Sequence, residues 1–553
     1  ILLRPHTGKR GFNSWVNRRL DALTGRYRGL VGKTIGRGWW LAGGMLAIFA
    51  ISALLFLRIP SELAPAEDRG DFSVNITGPE GAGYDYMVTQ MAELEKRMAV
   101  YVGDGKPINR VITRLPGGFG GSQEMQSGNA TAFLKPWGDR DQSTQDVVED
   151  VSKALQSMPG VRTSAEVRQG LVRGGGQPLQ VVLRGPSYEL LVQWRDRMLR
   201  RMEQNPNMTN VDSDYKETRP QIQVNINKTR AADLGVSVQE IGSTLETMLG
   251  SSRATTYEDD GEEYDVILQA GFEHRREPAD ITGLYVRSAT TGGLVPLASV
   301  VTLSETAEAG SLNRFNRLRA ITVSAGLVPG YPIGQALDDV RAMAAEELPP
   351  EAQIDYKGAT REFMRASSAI FFTFGMALLV VFLVLSAQFE SFLHPLVIML
   401  TVPLAMLGAL LGLSLWGASL NLYSQIGIVM LVGLAAKNGI LIVEFANQLR
   451  DEGRSVNEAI VESASVRFRP ILMTSVAMIC GATPLMLSTG AGAASRASIG
   501  VVIVFGVAFS TLLSLFAVPA FYSLLARFTH SPEAVAHALT KLEAEIPPVS
   551  GHA

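Results

Sequence analysis

One stretch of the sequence places ionisable side chains where they could move protons. Residues 426–450 form an apolar run long enough to cross a bilayer as a helix, and Lys437 lies near its midpoint, next to Asn438. A lysine at that depth costs about 2.5–3.5 kcal/mol on insertion scales, which favours a functional role. Glu444 lies two helical turns further on, on the same face and about 10 Å away. That separation is too long for a direct ion pair unless both side chains bend.

Lys437 needs a counter-ion that the rest of the sequence does not offer. The other apolar runs lack a central Asp or Glu, and an isolated ammonium inside hydrocarbon is costly. Either Lys437 is neutral, or its counter-ions come from protein outside this sequence, and we favour the second. A third interpretation is a tolerated charge whose side chain extends to the lipid headgroups.

A second polar pair lies on another apolar stretch. Arg467 and Thr474 are also two helical turns apart and therefore share a helix face. Two helices that each carry a polar face, in a bundle that is otherwise uncharged, favour the hypothesis of a proton or ion relay. Structural roles stay open for both residues, because Arg467 could contact a lipid phosphate and a threonine hydroxyl in a membrane helix usually bonds its own backbone.

The glycine-rich stretch 115–123 (LPGGFGGSQ) carries one aromatic residue, Phe119. It could be a simple connection, a phosphate-binding loop, or a flexible loop that moves an aromatic ring into an apolar pocket. The phosphate interpretation lacks the GK[ST] that normally follows. The sequence also has no HExxH, GxSxG, Walker or Cys/His motif, so we expect a transporter that is not an enzyme and that has no cofactor or metal.

Composition narrows the class further. The 553 residues are 46% hydrophobic with a net charge of −3, so no basic field indicates a nucleic-acid partner. A single cysteine, Cys480, excludes a disulfide within the chain. The sequence opens at Ile1 with no signal peptide, and we expect it to be a fragment of a longer protein.

The predicted fold is a membrane α-helical bundle of six transmembrane helices with a large periplasmic α+β region of ferredoxin-like β-α-β lobes. Residues 1–37 are basic and amphipathic, which predicts a cytoplasmic linker helix lying on membrane lipids. Residues 38–58 are the first crossing, and 366–527 contain five more. Residues 59–365 alternate strand-like and helix-like segments on the far side of the membrane. Residues 528–553 form a cytoplasmic tail.

Three local features are also predicted. Glu390 and His394 mark a short turn between the second and third crossings. The fifth crossing begins at Pro470. Ser237 and Glu240 form a capping box that opens a helix in the external region.

Five segments together resemble the resistance-nodulation-division superfamily, and within it the hydrophobe/amphiphile efflux pumps of Gram-negative bacteria. The resemblance covers nearly the whole chain and corresponds to the second, C-terminal half of such a pump. The segments are IPSELAPAEDRG (59–70), LGVSVQEIGSTL (234–245), GLAAKNGILIVEFANQL (433–449), RFRPILMTS (467–475) and LSTGAGA (487–493).

The resemblance implies a homotrimer in the bacterial inner membrane that exchanges protons for drugs or other amphiphilic compounds. Export would pass through a periplasmic adaptor protein and an outer-membrane channel. Lys437, Arg467 and Thr474 match the proton relay of the family, whose two aspartates belong to the missing half. A heavy-metal exporter, or a lipid or polypeptide transport factor of the same architecture, is the alternative.

The resemblance also assigns the external region. Residues 65–220 and 314–358 would be porter lobes, and 221–313 a docking lobe. A substrate pocket would include Ile112, Thr131 and Phe133. The loop that switches between substrate pockets would comprise Gly117, Gly118, Phe119, Gly120 and Gly121.

Overall fold

The computed structural model describes most of the chain. The described residues are 12–35, 38–117, 125–167, 176–328 and 330–526, and of these only the backbone is described at 12–14, 16, 17 and 38–42.

Two helices open the described chain, α1 (Phe12–Ile35) and α2 (Gly38–Arg58). One side of α1 packs on the end of the helical bundle. The Tyr27 hydroxyl donates to the Leu515 carbonyl at 2.6 Å, and its ring stacks on Phe468 at 4.6 Å between centroids. This contact buries Tyr27 and anchors the helix.

The first α+β lobe is a four-stranded antiparallel sheet with the strand order β2-β3-β1-β4. Apolar residues alternate along β1, so that Phe72, Val74 and Ile76 are fully buried beneath the two helices. This order is that of a ferredoxin-like βαββαβ unit. Its elements are β1 (Asp71–Thr77), α3 (Tyr84–Ala99), β2 (Ile108–Arg114), β3 (Ser127–Leu134), α4 (Thr144–Leu155) and β4 (Arg162–Val167).

The second lobe begins the same pattern and is then interrupted by a long insertion. It opens with β5 (Leu179–Gly185), α5 (Tyr188–Glu203) and β6 (Met208–Ser213). The insertion leaves and returns through an antiparallel pair, β7 and β12, and carries a protruding β8–β9 hairpin. Its elements are β7 (Arg219–Ile226), α6 (Lys228–Asp233), α7 (Val238–Leu245), β8 (Ser252–Asp259), β9 (Glu262–Leu268), α8 (Pro278–Thr282), β10 (Tyr285–Arg287), β11 (Leu294–Pro296) and β12 (Val301–Glu308).

The second lobe then resumes with β13 (Arg314–Phe315), β14 (Leu318–Leu327), α9 (Ile333–Glu347) and β15 (Gln353–Tyr356). Its strands take the order β6-β14-β5-β15, with β13 also on β14. Both lobes therefore share one strand order, and the insertion lies between the second and third strands of the second unit.

The helical bundle follows. Its elements are α10 (Gly358–Phe389), α11 (Leu393–Met399), α12 (Thr401–Trp416), α13 (Leu422–Asp451), α14 (Val456–Met486) and α15 (Ala493–Leu525). With α11 and α12 continuous, five described helices are long and apolar enough to cross a membrane. The sixth predicted crossing, α2, stays a prediction, since its described apolar part covers only Gly43–Arg58.

Two local predictions need correction. The turn predicted between the second and third crossings is present at residues 390–392, where Glu390 adopts a left-handed conformation and ends α10, but it does not include His394. His394 lies inside α11 with 2% of its surface exposed, because the apolar sequence after Phe392 continues as a helix. Pro470 lies within α14, which begins at Val456. Prolines are tolerated inside membrane helices, and Ile460 and Ala464 already bury one face of this earlier segment.

The predicted capping box on α7 is formed only in part. Ser237 Oγ accepts a hydrogen bond from the Glu240 backbone N–H at 3.0 Å. The reciprocal bond, in which the Ser237 backbone N–H would donate to the Glu240 carboxylate, is absent among the described contacts of this helix. The side-chain cap alone is sufficient to begin α7.

A buried ion pair ties the entry of the first lobe to α4. Asp68 Oδ1 lies 2.5 Å from Arg140, whose side chain is 2% exposed, and Asp68 also accepts from the Thr144 backbone N–H at 2.8 Å. Burial alone would raise the pKa of Asp68. The hydrogen bonds from Arg140 and Thr144 outweigh it and hold the pKa below its usual value.

We expect Asp68→Asn to lower the free energy of local opening of α4 by about 3 kcal/mol, because it leaves Arg140 buried without its counter-charge. Hydrogen exchange of α4 amides in the complete protein measures this. Because the folded pKa is depressed, the stabilisation is present above about pH 4 and is lost as the pH falls through the folded value. The exposed Asp141, changed to Asn, is the control, and an equal loss in both variants would contradict the assignment.

Candidate functional site

Lys437 lies in the middle of a long helix, α13. α13 begins with a capping box, in which Asn421 Oδ1 accepts from the Ser424 N–H at 3.0 Å and Ser424 Oγ accepts from the Asn421 N–H at 2.8 Å. Lys437 is half-buried, 15 residues after Leu422 and 14 before Asp451. It is therefore too far from either end of the helix for its position to be explained by contact with the headgroups alone.

A buried hydrogen-bond chain crosses three helices directly beside Lys437. Asn438 Nδ2 on α13 donates to Thr511 Oγ1 on α15 at 3.1 Å, and Thr511 Oγ1 donates to Ser475 Oγ on α14 at 2.8 Å. The three residues are 2%, 5% and 2% exposed, so water does not compete for these bonds. The Asn438 Oδ1 atom remains buried without a hydrogen bond.

This Asn438–Thr511–Ser475 chain brings two of the predicted relay residues to the same region. Lys437 precedes Asn438, and Thr474 precedes Ser475. Thr474 Oγ1 donates to the Ile471 carbonyl of its own helix at 3.2 Å, which is the structural alternative considered for it.

Arg467 contacts α13 further along. Its guanidinium carbon lies 4.6 Å from the centre of the Phe445 ring, and its Nε atom is buried without a hydrogen bond. Across the described chain, no hydrogen bond or ion pair joins Lys437, Arg467 and Thr474 to one another, and Glu444 instead accepts from Gln448 at 3.3 Å. The site is a set of polar groups around α13 with an ammonium that lacks a described counter-ion.

Thr511 and Ser475 were missed by sequence reasoning. Small hydroxyl residues are common in membrane helices, where they bond their own backbone, so neither position was distinctive. The available signal was the dense polar sequence of α15, in which Ser510, Thr511 and Ser514 interrupt an apolar helix.

The predicted pocket residues lie together on the outer face of the first lobe. Ile112 and Thr131 are paired across β2 and β3, and Phe133 lies two residues further along the same face. The Arg110 guanidinium covers the Phe133 ring at 4.8 Å. This face points away from the buried side of the sheet and is available to a ligand or to another protein surface.

The row from Ile112 continues across the sheet through Thr131 and Ser73 to Glu166. Burial raises the pKa of Glu166. A carboxyl group of this kind makes the face partly polar and sensitive to pH.

Of the predicted switch loop, only Gly117 is described. Its N–H donates to the Ser127 carbonyl at 2.8 Å, and a Cβ atom there would lie 2.9 Å from the Gly128 carbonyl carbon, so a side chain would not fit. Gly118, Phe119, Gly120 and Gly121 lie outside the described residues.

An open cleft of about 490 Å³ lies between the end of this lobe and the start of the insertion. Asp212 joins its two basic residues, with Arg162 at 2.8 Å and Lys216 at 2.9 Å. Among the described residues, no group of three or more His, Cys, Asp or Glu side chains could hold a metal ion. The lining residues are Thr77, Gly78, Pro79, Glu80, Gly160, Val161, Arg162, Lys216 and Thr218.

Comparison with known proteins identifies the family to which this chain belongs. Residues 1–526 match the model of the AcrB/AcrD/AcrF family. An uncharacterized transporter of Haemophilus influenzae is 33% identical over 94% of this chain and 50% of its own length. Two Pseudomonas putida proteins, a multidrug/solvent efflux pump transporter and a toluene efflux pump transporter, are 32% and 33% identical over 94% of the chain.

The chain spans about half the length of these curated relatives, 49% for both Pseudomonas proteins. The match nevertheless extends from α1 to the end of α15 and includes every element that positions Lys437. This chain therefore belongs to the AcrB/AcrD/AcrF family of resistance-nodulation-division transporters.

Proposed function

We propose that this chain is the C-terminal half of a proton-driven efflux transporter that exports drugs or other amphiphilic compounds. The observation that carries the proposal is the half-buried ammonium of Lys437, which lies in mid-helix beside a buried hydrogen-bond chain and lacks a counter-ion within the described residues. The names of the relatives support export of solvents and drugs.

The Lys437 site gives a physical basis for proton coupling. When carboxylates supplied by the other half of the pump are ionised, they attract the ammonium, and when they are protonated that attraction is lost. Lys437 therefore has two preferred positions, one for each protonation state. Beside the lysine, the hydrogen-bond chain of Asn438, Thr511 and Ser475 joins the helices α13, α15 and α14. A movement of the lysine therefore displaces these helices and not only its own side chain.

The arrangement of the chain supports an inner-membrane protein with α2 as a sixth crossing and residues 59–365 in the periplasm. The two βαββαβ lobes act as the porter region, and the insertion within the second lobe acts as the docking region. A periplasmic adaptor protein, an outer-membrane channel and a homotrimer complete the export pathway. Amphiphilic substrates then contact the open face with Ile112, Thr131 and Phe133, and the neighbouring cleft.

The two alternatives have less support. A heavy-metal exporter would bring methionines together, but Met87 and Met208 belong to the separate cores of the two lobes, and Met125 is 39% exposed. A lipid or polypeptide transport factor without a docking region is disfavoured by the insertion from β7 to β12.

Lys437→Ala tests the proposal in the complete pump reconstituted in proteoliposomes. We expect dye to bind as in the wild type and proton-driven dye extrusion to fall by about 100-fold or more, because the relay loses its cation. Gln448→Ala, an exposed change on the same helix, is the matched control. Wild-type extrusion by Lys437→Ala would leave the lysine as a tolerated membrane charge and remove the mechanism.

Thr511→Val tests the hydrogen-bond chain beside the lysine. Valine keeps the shape of threonine but removes the hydroxyl, so the Asn438 amide and the Ser475 hydroxyl both lose a bond worth about 1 kcal/mol. We expect extrusion to fall by about tenfold with unchanged dye binding. Thr511→Ser retains the hydroxyl and should stay close to wild type, and equal losses in the two variants would assign the effect to packing.

A further inference from the structure

The helical bundle and the external region meet at residues 59–63, which we call the junction segment. Ile59 is buried in a core of the bundle with Leu410 and Leu413. Leu63, four residues later, is buried in the core of the second lobe with Leu183 and Phe363. This short segment therefore connects a core of the bundle with the core of the second lobe.

Backbone hydrogen bonds hold the junction segment on both sides. The loop before α13 binds it through Leu420 N–H to Pro60 O at 2.8 Å, Glu62 N–H to Leu420 O at 3.2 Å and Leu422 N–H to Leu63 O at 3.2 Å. At the start of α9, the Gly334 N–H donates to the Ser61 carbonyl at 3.1 Å. The segment is thus bonded to the bundle and to the second lobe at the same time.

The side chain of Glu62 is the one acid of the junction segment. Its carboxylate accepts a hydrogen bond from Ser419, whose Oγ atom in turn accepts from Asn421 Nδ2 at 3.0 Å. Asn421 Nδ2 also approaches Ser498 Oγ on α15 at 3.3 Å, and both Asn421 and Ser498 are buried. Glu62 therefore ends a polar network that connects the junction segment to the start of α13 and to α15.

Burial raises the pKa of Glu62, and the Ser419 hydrogen bond opposes that rise. The elements packed around the junction carry other charged or titratable groups, but none of them forms an ion pair with Glu62 among the described residues. Glu362 and Arg365 pair with each other at 3.4 Å, and Arg496 donates to two backbone carbonyls of its own loop. The groups concerned are Arg58, Asp338, Asp339, Glu362, Arg365, Tyr423 and Arg496.

We propose that Glu62 is a proton-binding site that controls how firmly the junction segment is attached to the helical bundle. With the carboxyl group protonated, the junction stays packed and the two cores move together. Ionisation makes the packed state costly, because a half-buried carboxylate without a cation is better solvated when the junction opens to water. The proton is exchanged with water on the external side, so the attachment responds to the acidity of that compartment.

The direction of the pH effect follows from proton binding. The packed junction binds the proton more tightly than the open one, so packing is favoured at low pH and weakens as the pH rises from the ordinary value of a glutamic acid through the raised value. The effect on transport rests on the proposed function, whereas the effect on packing does not. The two can therefore be measured separately.

Hydrogen exchange in the complete pump, in lipid nanodiscs, tests the packing directly. Peptides that contain Glu62, Leu420 and Leu422 are followed between about pH 5 and about pH 8, with correction for the chemical exchange rate. We expect the hydrogen-exchange protection factors of these wild-type peptides to fall with rising pH. The fall is up to about tenfold for each unit by which packing raises the pKa of Glu62. Glu62→Gln, which stays neutral, should keep its protection across the range.

Two further variants make the result specific. Glu166→Gln removes another half-buried carboxyl group, on β4 of the first lobe, and should leave the junction profile as in the wild type. Ser419→Ala removes the hydrogen bond that favours the ionised form, so it should move the loss of protection to higher pH. A pH-independent wild-type junction, or the same profile in the wild type and Glu62→Gln, would overturn the proposal.

Dye extrusion by the same proteins gives the second measurement. We expect wild-type extrusion and Glu62→Gln extrusion to differ in their dependence on external pH, with the two rates closest at acidic pH. If the exchange profiles differ as expected but the extrusion profiles coincide, Glu62 does not control transport, and that part of the proposal is rejected. If no variant transports dye, the proposed function fails while the exchange result still decides the packing.

Discussion

The structure depends on the cost of leaving a polar group unsatisfied where water is excluded. In the bundle this cost forces the backbone into helices and restricts polar side chains to positions where they meet each other. Asn438, Thr511 and Ser475 obey this rule by bonding across three helices. Lys437, Arg467 Nε and Asn438 Oδ1 find no partner within the described residues, and the same holds for Gln425 Oε1 near the start of α13 and Ser510 Oγ on α15. Lys437 and Asn438 are adjacent on α13, so two of these groups belong to one site.

The α+β part of the chain meets a different constraint, which is to build two lobes and an insertion from one continuous chain. Two sheets with the same strand order form two separate cores, and the long insertion leaves the second sheet between its second and third strands. The insertion departs and returns through the paired strands β7 and β12. It therefore leaves the strand pairing of the second lobe's sheet undisturbed. The second lobe is also continuous with α10, which begins at Gly358 directly after β15. One residue, Lys357, therefore separates this lobe from the long apolar helix α10.

Much of this architecture is predictable from local sequence, and the reasons for the failures are physical. The bounds of α9 and α5 and the alternation of β1 follow from apolar periodicity, since each element buries one face in a single core. The position of Lys437 at the centre of an apolar helix was predictable for the same reason. His394 and Pro470 were misplaced because a polar residue and a proline normally end helices, whereas burial against neighbouring helices overrides that tendency here.

The polar site itself was only partly predictable. Lys437, Arg467 and Thr474 are identifiable by type and spacing along single helices, but spacing along one helix does not determine which residue of another helix faces it. The hydrogen-bonding role of Thr511 and Ser475 can be recognised only when α15 is packed against α13 and α14. The same limit applies to Glu62, which lies 357 residues from Ser419 in sequence. Contacts of such separation depend on the assembled fold, and no local pattern records them.

The two polar sites are mechanically related, because one pair of helices carries both. α13 and α15 run in the same direction and are bonded near their N-terminal ends by Asn421 and Ser498, and deeper in the bundle by Asn438 and Thr511. These points are separated by 17 residues on α13 and by 13 on α15, or about 20–25 Å along the helices. Two hydrogen-bonded crossings at that distance make the pair a stiff unit. A displacement of α13 caused at Lys437 would therefore reach Asn421, and through Ser419 the carboxyl group of Glu62, with little loss in the helices between them.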